Sequence, residues 1–319
     1  MKKVFITGIT GQDGLFLTQI LSEKNFKIYG TSRSLDNQSF FKNLHYLGVE
    51  TFENIFKLDL LNYSKVKSFI NDIKPDYIVN LSGPSSVYDS YKRPIESQNQ
   101  IISIFNNLIN SCIELNFFPT IFQASSSEMF KQSDNRGLDE NCEFDPKSPY
   151  AKAKFINHMR ILDLVKKYDW NIKSGIMFNH ESEFRTKDYL FMKVINAAYE
   201  IKIGKIENLA VGSLVLERDW SFAGDVARAI ESIMISGKDN TYVIGEGKPK
   251  KIKDLIEIVF DYNNLNFEQY IIIDEKLLRK GDPLTIYSDP KKLKHELKWS
   301  PKLSFEELVF RCIKQGNYK

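Results

Sequence analysis

Cysteine is nearly missing from this chain. Its 319 residues hold only Cys112, Cys142 and Cys312, an odd number set far apart. That spacing excludes a disulfide framework and a thiolate-built metal centre. Histidine is as sparse: His45, His158, His180 and His295 lack the short spacing of a ligand set, so no metal is expected. No apolar run approaches the roughly 18 residues that a membrane-spanning helix needs. An excess of one charge is missing too, since 44 Lys and Arg against 41 Asp and Glu leave a net charge of +3. Nothing in that balance calls for nucleic acid or a membrane surface. The lysines of Lys248-Pro249-Lys250-Lys251 and Lys291-Lys292 are read as solvated surface. There is no internal repeat and no low-complexity tract. Met1-Lys2-Lys3 runs straight into an apolar stretch with no leader, so a reducing cytoplasm is the expected setting.

Glycine is modest as well, at 16 residues, yet three fall together near the start. The segment Lys3-Val4-Phe5-Ile6-Thr7-Gly8-Ile9-Thr10-Gly11-Gln12-Asp13-Gly14 joins a short apolar run to a G-x-x-G-x-x-G turn, and the amphipathic stretch Leu15–Leu21 follows. A strand that ends in such a turn lets the backbone approach a pyrophosphate. The next helix then points its positive end at the negative charge. A plain strand-to-helix turn is the competing reading of the glycines alone.

Strand-length apolar runs then alternate with helical periodicity. The strands are Val4–Thr7, Lys27–Gly30, Asn54–Leu58, Tyr77–Leu81, Thr120–Ala124 and Lys173–Phe178; the helices are Leu15–Lys24, Tyr63–Ile73, Ile101–Leu115 and Tyr150–Tyr168. This order predicts an α/β fold, a doubly wound parallel Rossmann sheet with a smaller C-terminal lobe. Asn179–Arg185 reads as a loop. Helices are expected over Tyr189–Ile203, Asp225–Ser236, Ile252–Tyr262 and Phe305–Lys314, with a strand at Tyr242–Ile244. Residues 1–178 are expected to form the dinucleotide-binding domain, with segments of about 206–248 returning to it; residues 179–205 and 249–319 form the smaller lobe. Ligands of open sheets bind beyond the carboxyl ends of the strands. That rule directs attention to Thr7–Gly14, Arg33, Asp59, Leu81–Ser85, Ser125–Glu128 and Asn179–Arg185.

The second strand leads into Thr31-Ser32-Arg33-Ser34, with no carboxylate before Asp36. An NAD site wants an acid there for the ribose hydroxyl, whereas a guanidinium suits a 2′-phosphate. NADP is therefore the expected cofactor. Asp59-Leu60 follows the third strand, where the carboxylate suits the adenine amino group or caps the next helix.

Tyr150 and Lys154 stand four residues apart just after Pro149, on one face of a helix start. A phenol with a pKa near 10 needs a neighbouring cation before it can act as a base. Ser126, in Ala124-Ser125-Ser126-Ser127-Glu128, offers a hydroxyl to the same substrate oxygen. Glu128 is surplus to hydride transfer and suits removal of a proton beside a ketone. A turn cap is its plainer reading.

Together these residues resemble the extended short-chain dehydrogenase/reductase family, and within it the GDP-mannose 4,6-dehydratases. The likeness lies in Ile6–Gly14, Ser126-Ser127-Glu128, Ser148–Lys154, Gly175-Ile176-Met177-Phe178-Asn179-His180-Glu181-Ser182, Arg218-Asp219-Trp220 and Leu297-Lys298-Trp299-Ser300-Pro301. It covers nearly the whole chain. The resemblance implies a nucleotide-sugar 4,6-dehydratase that forms a 4-keto-6-deoxy sugar, with bound NADP recycled in each turnover. Catalysis would fall to Ser126, Glu128, Tyr150 and Lys154. The cofactor would lie against Gly8, Gly11, Gln12, Asp13, Gly14, Arg33, Asp59, Leu60, Leu81, Ser82, Ser85, His180 and Arg185, besides Tyr150 and Lys154. Ser85, Asn179, Arg218 and Arg279 would hold the nucleotide sugar, best a GDP-sugar. A homodimer through the Ile101–Leu115 and Tyr150–Tyr168 helices is implied, with a homotetramer as the alternative.

The chain departs from the family at Pro84-Ser85-Ser86, at Glu183-Phe184-Arg185-Thr186, at Arg279-Lys280-Gly281-Asp282 and at Ser34. A different hexose or a heptose therefore stays open. So do an NADPH-dependent reductase or 4-epimerase of the same family and a non-catalytic NADP-binding protein.

Overall fold

The computed structural model describes residues 1–34, 36–131, 136–278 and 282–316. The chain begins β1 (Lys3–Thr7), α1 (Gln12–Glu23), β2 (Lys27–Ser32), α2 (Gln38–Tyr46), β3 (Ile55–Lys57), α3 (Tyr63–Ile73) and β4 (Tyr77–Asn80). It continues through α4 (Val87–Lys92), α5 (Pro94–Glu114), β5 (Thr120–Ser126), α6 (Pro149–Tyr168) and β6 (Ile172–Met177). Inner strands such as Tyr77-Ile78-Val79-Asn80 are buried at every position, because helices cover both faces of the sheet. Next come β7 (Asn179–Glu181), α7 (Leu190–Lys202), β8 (Leu209–Val211), β9 (Glu217–Phe222), α8 (Ala223–Ser236) and β10 (Thr241–Ile244). The last elements are β11 (Pro249–Lys251), α9 (Ile252–Tyr262), β12 (Ile271–Ile273), β13 (Thr285–Ile286), α10 (Lys291–Leu297) and α11 (Phe305–Gly316).

The central sheet has seven strands in the order β10-β6-β5-β4-β1-β2-β3. Every pairing is parallel, as in β1 with β4 (Val4 to Tyr77) and β5 with β6 (Ile121 to Ile172). The order reverses between β1 and β4, so a crevice opens at their carboxyl ends. The edge strand β10 is shielded by a side chain: the Val243 N–H donates to Glu140 Oε1 at 2.7 Å.

Within 206–248, β10 and α8 join the main sheet and its covering layer, while β8 pairs β12 and β9 pairs β7, β11 and β13. One expectation is corrected here. Asn179–Glu181 is a strand that runs parallel to Trp220–Phe222, not a loop. Its partner lies some forty residues downstream, so no local pattern announces it. β9 is anchored through Asp219, whose carboxylate accepts from the Glu246, Gly247 and Ser288 N–H groups at 2.9–3.0 Å.

One buried apolar cluster runs from β1 and α1 through α8 into α7, α9 and α11. Trp220 stacks on Phe305 at 5.7 Å in its midst. The elements after β6 thus share one core with the central sheet.

Candidate active site

At the carboxyl end of β1 the backbone turns through Gly8 in the left-handed region (φ 69°). A Cβ there would stand 3.1 Å from the Leu81 carbonyl and the Ser82 nitrogen, so the ends of β1 and β4 approach as only glycine permits. A Cβ on Gly14 would stand 2.3 Å from the Ile9 carbonyl oxygen. Gly11 precedes α1 with no side-chain cap. The first turn of α1 therefore presents backbone amides and the positive end of its dipole to whatever lies in the turn. A dinucleotide diphosphate fits this cradle, because its walls are backbone rather than side chain.

Around the cradle the expected contacts fall in several places. Arg33 is exposed just past β2, with no acid before Asp36. Asp59 is exposed and Leu60 buried after β3. Asp59 Oδ1 accepts from the Leu61 N–H at 3.0 Å, and Asn62, not Asp59, caps α3. Leu81 and Ser82 line the close approach to Gly8. Arg279 lies outside the described residues.

The catalytic candidates meet on the far side of the same crevice. Ser148 caps α6, its Oγ accepting from the Ala151 N–H at 3.0 Å, and Pro149 opens the helix. That start sets Tyr150 and Lys154 one turn apart, facing the end of β5. The Tyr150 phenol lies within the electrostatic reach of both Ser126 and Glu128. Burial pushes the phenol up to about 12, partly opposed by the neighbouring Ser126 hydroxyl. Ser126 Oγ also accepts from the Glu128 N–H at 3.3 Å, which fixes the turn that carries the carboxylate. The Lys154 ammonium donates to the Ala124 carbonyl at 2.7 Å and lies 5.6 Å from the Tyr150 ring centroid. Burial brings it down to about 8, opposed by the Asp13 charge.

Beneath them runs a buried polar ladder. Thr7 Oγ1 donates to Asn80 Oδ1 at 2.6 Å, Asn80 Nδ2 to Gln123 Oε1 at 2.7 Å, and Gln123 Nε2 to the Ala124 carbonyl at 2.9 Å. The glycine turn, the end of β4 and the lysine's acceptor are thereby one hydrogen-bonded unit.

The third part comes from β7 and the segment after it. His180 Nε2 lies 3.1 Å from Asp13, and its Nδ1 is 2.7 Å from the Phe178 carbonyl. Burial alone would lower His180, yet the Asp13 charge leaves it above its ordinary value; Asp13, held against burial by His180, lies below its own. Gln12 Nε2 donates to the His180 carbonyl at 2.9 Å, and Ser182 Oγ donates to Gln12 Oε1 at 2.9 Å. Arg185 pairs with buried Glu181 at 3.3 Å. Burial raises Glu181 despite that guanidinium. Asn179 is exposed at the start of β7. Arg218, on β9, donates to Asp282 at 2.6 Å and to the Pro283 carbonyl at 3.2 Å. Tyr189 was not foreseen: it hydrogen-bonds Ser85 at 2.7 Å and stacks under Arg185. No motif holds it, since it stands at a helix boundary and its partners are far away in sequence.

The sequence profile described as GDP-mannose 4,6 dehydratase matches residues 5–312 of this chain. The chain belongs to the GDP-mannose 4,6-dehydratase family. Two members illustrate the likeness. GDP-mannose 4,6 dehydratase 1 of Arabidopsis thaliana is 31% identical over 318 residues, covering 97% of this chain and 88% of that protein. The Homo sapiens GDP-mannose 4,6 dehydratase is 28% identical over 335 residues, covering 97% and 89%. Among solved structures, a Thermus thermophilus UDP-glucose 4-epimerase in complex with NAD superposes with a TM-score of 0.85 at 19% identity, covering 99% of both chains. That last likeness concerns the fold. As a member of the GDP-mannose 4,6-dehydratase family, the chain is a hydro-lyase that uses a nicotinamide cofactor.

Proposed function

We propose that the protein dehydrates a GDP-linked hexose, best GDP-mannose, to its 4-keto-6-deoxy form with NADP retained through the cycle. The observation that carries this reading is the meeting of Ser126, Glu128 and Tyr150 at one end of β5, beside Lys154. A reductase or 4-epimerase needs the hydroxyl, phenol and ammonium but not Glu128, and a non-catalytic binder needs none of them.

Gly8, Gly11 and Gly14 would hold the diphosphate, Arg33 the 2′-phosphate, and His180 and Arg185 would border the nicotinamide. When bound, NADP would supply the hydride acceptor for sugar C4 and the hydride donor for C6. Tyr150 removes the C4 hydroxyl proton while Ser126 steadies that oxygen. Lys154 stabilises the phenolate of a phenol that burial otherwise holds near 12. The ketone at C4 then acidifies the C5 proton. Glu128 takes that proton and passes it to the C6 hydroxyl, which leaves as water, and C5 regains a proton from Tyr150 once C6 is reduced. Asn179 and Arg218 are assigned to the nucleotide sugar, with Arg218 at the diphosphate. Incubation with GDP-, UDP-, CDP- and dTDP-hexoses, read by mass spectrometry, tests the assignment. Loss of one water with no net NADPH change is expected for the GDP-sugar. Epimerised product of unchanged mass, or stoichiometric NADPH consumption, refutes it.

We also propose a homodimer through α5 and α6, in a cytoplasmic setting. Ile156, Met159 and Leu162 form an exposed apolar stripe on α6. A Leu162→Asp variant is expected to sediment as a monomer; a native-like dimer in that variant moves the interface elsewhere. No helix among the described residues is long and apolar enough to cross a membrane.

A further inference from the structure

Tyr189 stands where three parts of the crevice meet. It is the residue ahead of α7, with extended backbone (φ −86°, ψ 143°). Its ring lies against the Arg185 guanidinium, whose Cζ is 3.6 Å from the ring centroid. Its hydroxyl is 2.7 Å from Ser85 Oγ on the loop after β4, 104 residues earlier in the chain. The ring is also near enough to Tyr150 for the two phenols to interact electrostatically.

The fold does not need that hydroxyl. Ser85 is exposed and Tyr189 only half-buried, so their hydrogen bond competes with water and adds little to stability. A phenylalanine would stack on Arg185 equally well. What the hydroxyl adds is chemistry: the pair shares one hydrogen and keeps a second donor and free lone pairs to offer a ligand. A sugar hydroxyl that donates to one and accepts from the other matches this pattern.

We propose that Tyr189 and Ser85 form a two-hydroxyl clamp that selects the hexose ring at the C3 hydroxyl. C4 is the carbon whose oxygen Tyr150 faces. Of its two ring neighbours, C5 bears no hydroxyl in a pyranose, so C3 carries the one beside the reacting centre. The clamp deepens the proposed function, since it takes the placement of C4 at Tyr150 from that reading. Tyr189 acts here as a specificity residue, and the clamp, not the diphosphate contacts, reads the sugar.

The test is titration calorimetry on the NADP-loaded protein with GDP, GDP-mannose and GDP-3-deoxymannose. Tyr189→Phe is expected to weaken GDP-mannose by about three- to tenfold, the scale of one neutral hydrogen bond in a solvated site. GDP and NADP affinities are expected to stay unchanged, and the 3-deoxy sugar is expected to bind wild type and variant alike. Adding Ser85→Ala to Tyr189→Phe is expected to cost less than Ser85→Ala alone, because the two hydroxyls act on one ligand group. Unchanged GDP-mannose affinity in Tyr189→Phe overturns the clamp. So does equal weakening of GDP and GDP-mannose, or full sensitivity of the 3-deoxy sugar to the substitution. Binding is read without turnover, so the two proposals fail separately. A protein that binds through the clamp but releases no water loses the dehydratase assignment alone. One that dehydrates normally as Tyr189→Phe with unaltered binding loses the clamp alone.

Discussion

In the proposed mechanism, Glu128 and Lys154 divide the chemistry between single side chains. Glu128→Gln keeps the shape of the turn but cannot take a proton, so dehydration is expected to fall by about 10²-fold or more. Oxidation at C4 is expected to survive, visible as a 4-keto hexose of unreduced oxygen count in the mass spectrum. Dehydration at wild-type rate in this variant removes Glu128 from the mechanism. Lys154 is charged where charge is costly. Its native value of about 8 lies below the 10.5 of the unfolded chain, so the unfolded state binds more protons between those two pH values. The penalty is full below pH 8 and fades as pH rises toward 10.5. Lys154→Met is therefore expected to abolish turnover yet raise stability at pH 7 by on the order of 1–3 kcal/mol. Urea titrations at pH 7 and pH 10 check this, and a variant gain that does not shrink at the higher pH contradicts the cause given. The motif spacing of Tyr150 and Lys154 was legible in the chain, because both lie on one helix turn. The partnership of Asp13 with His180 was not, because 167 residues separate them.

At the scale of elements, the site depends on how α1 and α6 begin. α1 starts uncapped, which leaves its amides to an anion; α6 starts with a strong cap, which fixes Tyr150. Ser148→Ala is expected to cost about 1 kcal/mol in urea unfolding while nicotinamide cofactor binding is retained. A loss of cofactor affinity that exceeds the loss of stability argues that Ser148 touches the ligand rather than the helix. The long strands and helices of the first half could be read from periodicity, since each carries its own apolar pattern. β7 could not be read in this way. Asn179, His180 and Glu181 lack any apolar alternation, and the strand exists because Trp220–Phe222 offers it backbone partners. α2 went unread for a related reason: it buries only Phe40 and Leu44, too few positions to show a period.

The whole molecule is held to its crevice by the last helix. Arg311, on α11, makes a forked contact with buried Glu183, at 2.9 Å and 3.0 Å from Nε and 2.6 Å from Nη2. Glu183 follows the β7 segment that carries His180, so the pair ties the C-terminus to the His180–Asp13 side of the crevice. Arg311→Leu leaves a buried carboxylate without this partner and is expected to cost about 2–4 kcal/mol, in the range for a broken buried pair. Cofactor affinity is expected to fall with it. Intact stability in this variant shows that the fork is not what fastens the lobe. The Trp299-Ser300-Pro301 turn adds a second fastening: Trp299 Nε1 donates to the Asp225 carbonyl at 2.9 Å, and Asp225 in turn accepts from the Lys302 N–H at 2.7 Å.

By itself the sequence determined what is local. Glycines at fixed intervals permit one kind of turn, apolar periods choose helix or strand, and a tyrosine four residues before a lysine shares its helix face. Those constraints act over a few residues, so they survive without knowledge of the rest of the chain. Only the tertiary structure decided which distant groups meet. It brought Glu128 to Tyr150, His180 to Asp13 and Tyr189 to Ser85, because such contacts arise when strands pair and helices bury shared apolar surface. In that buried setting Lys154 falls to about 8 and Tyr150 climbs to about 12, shifts that come from lost solvent and new neighbours rather than from residue type.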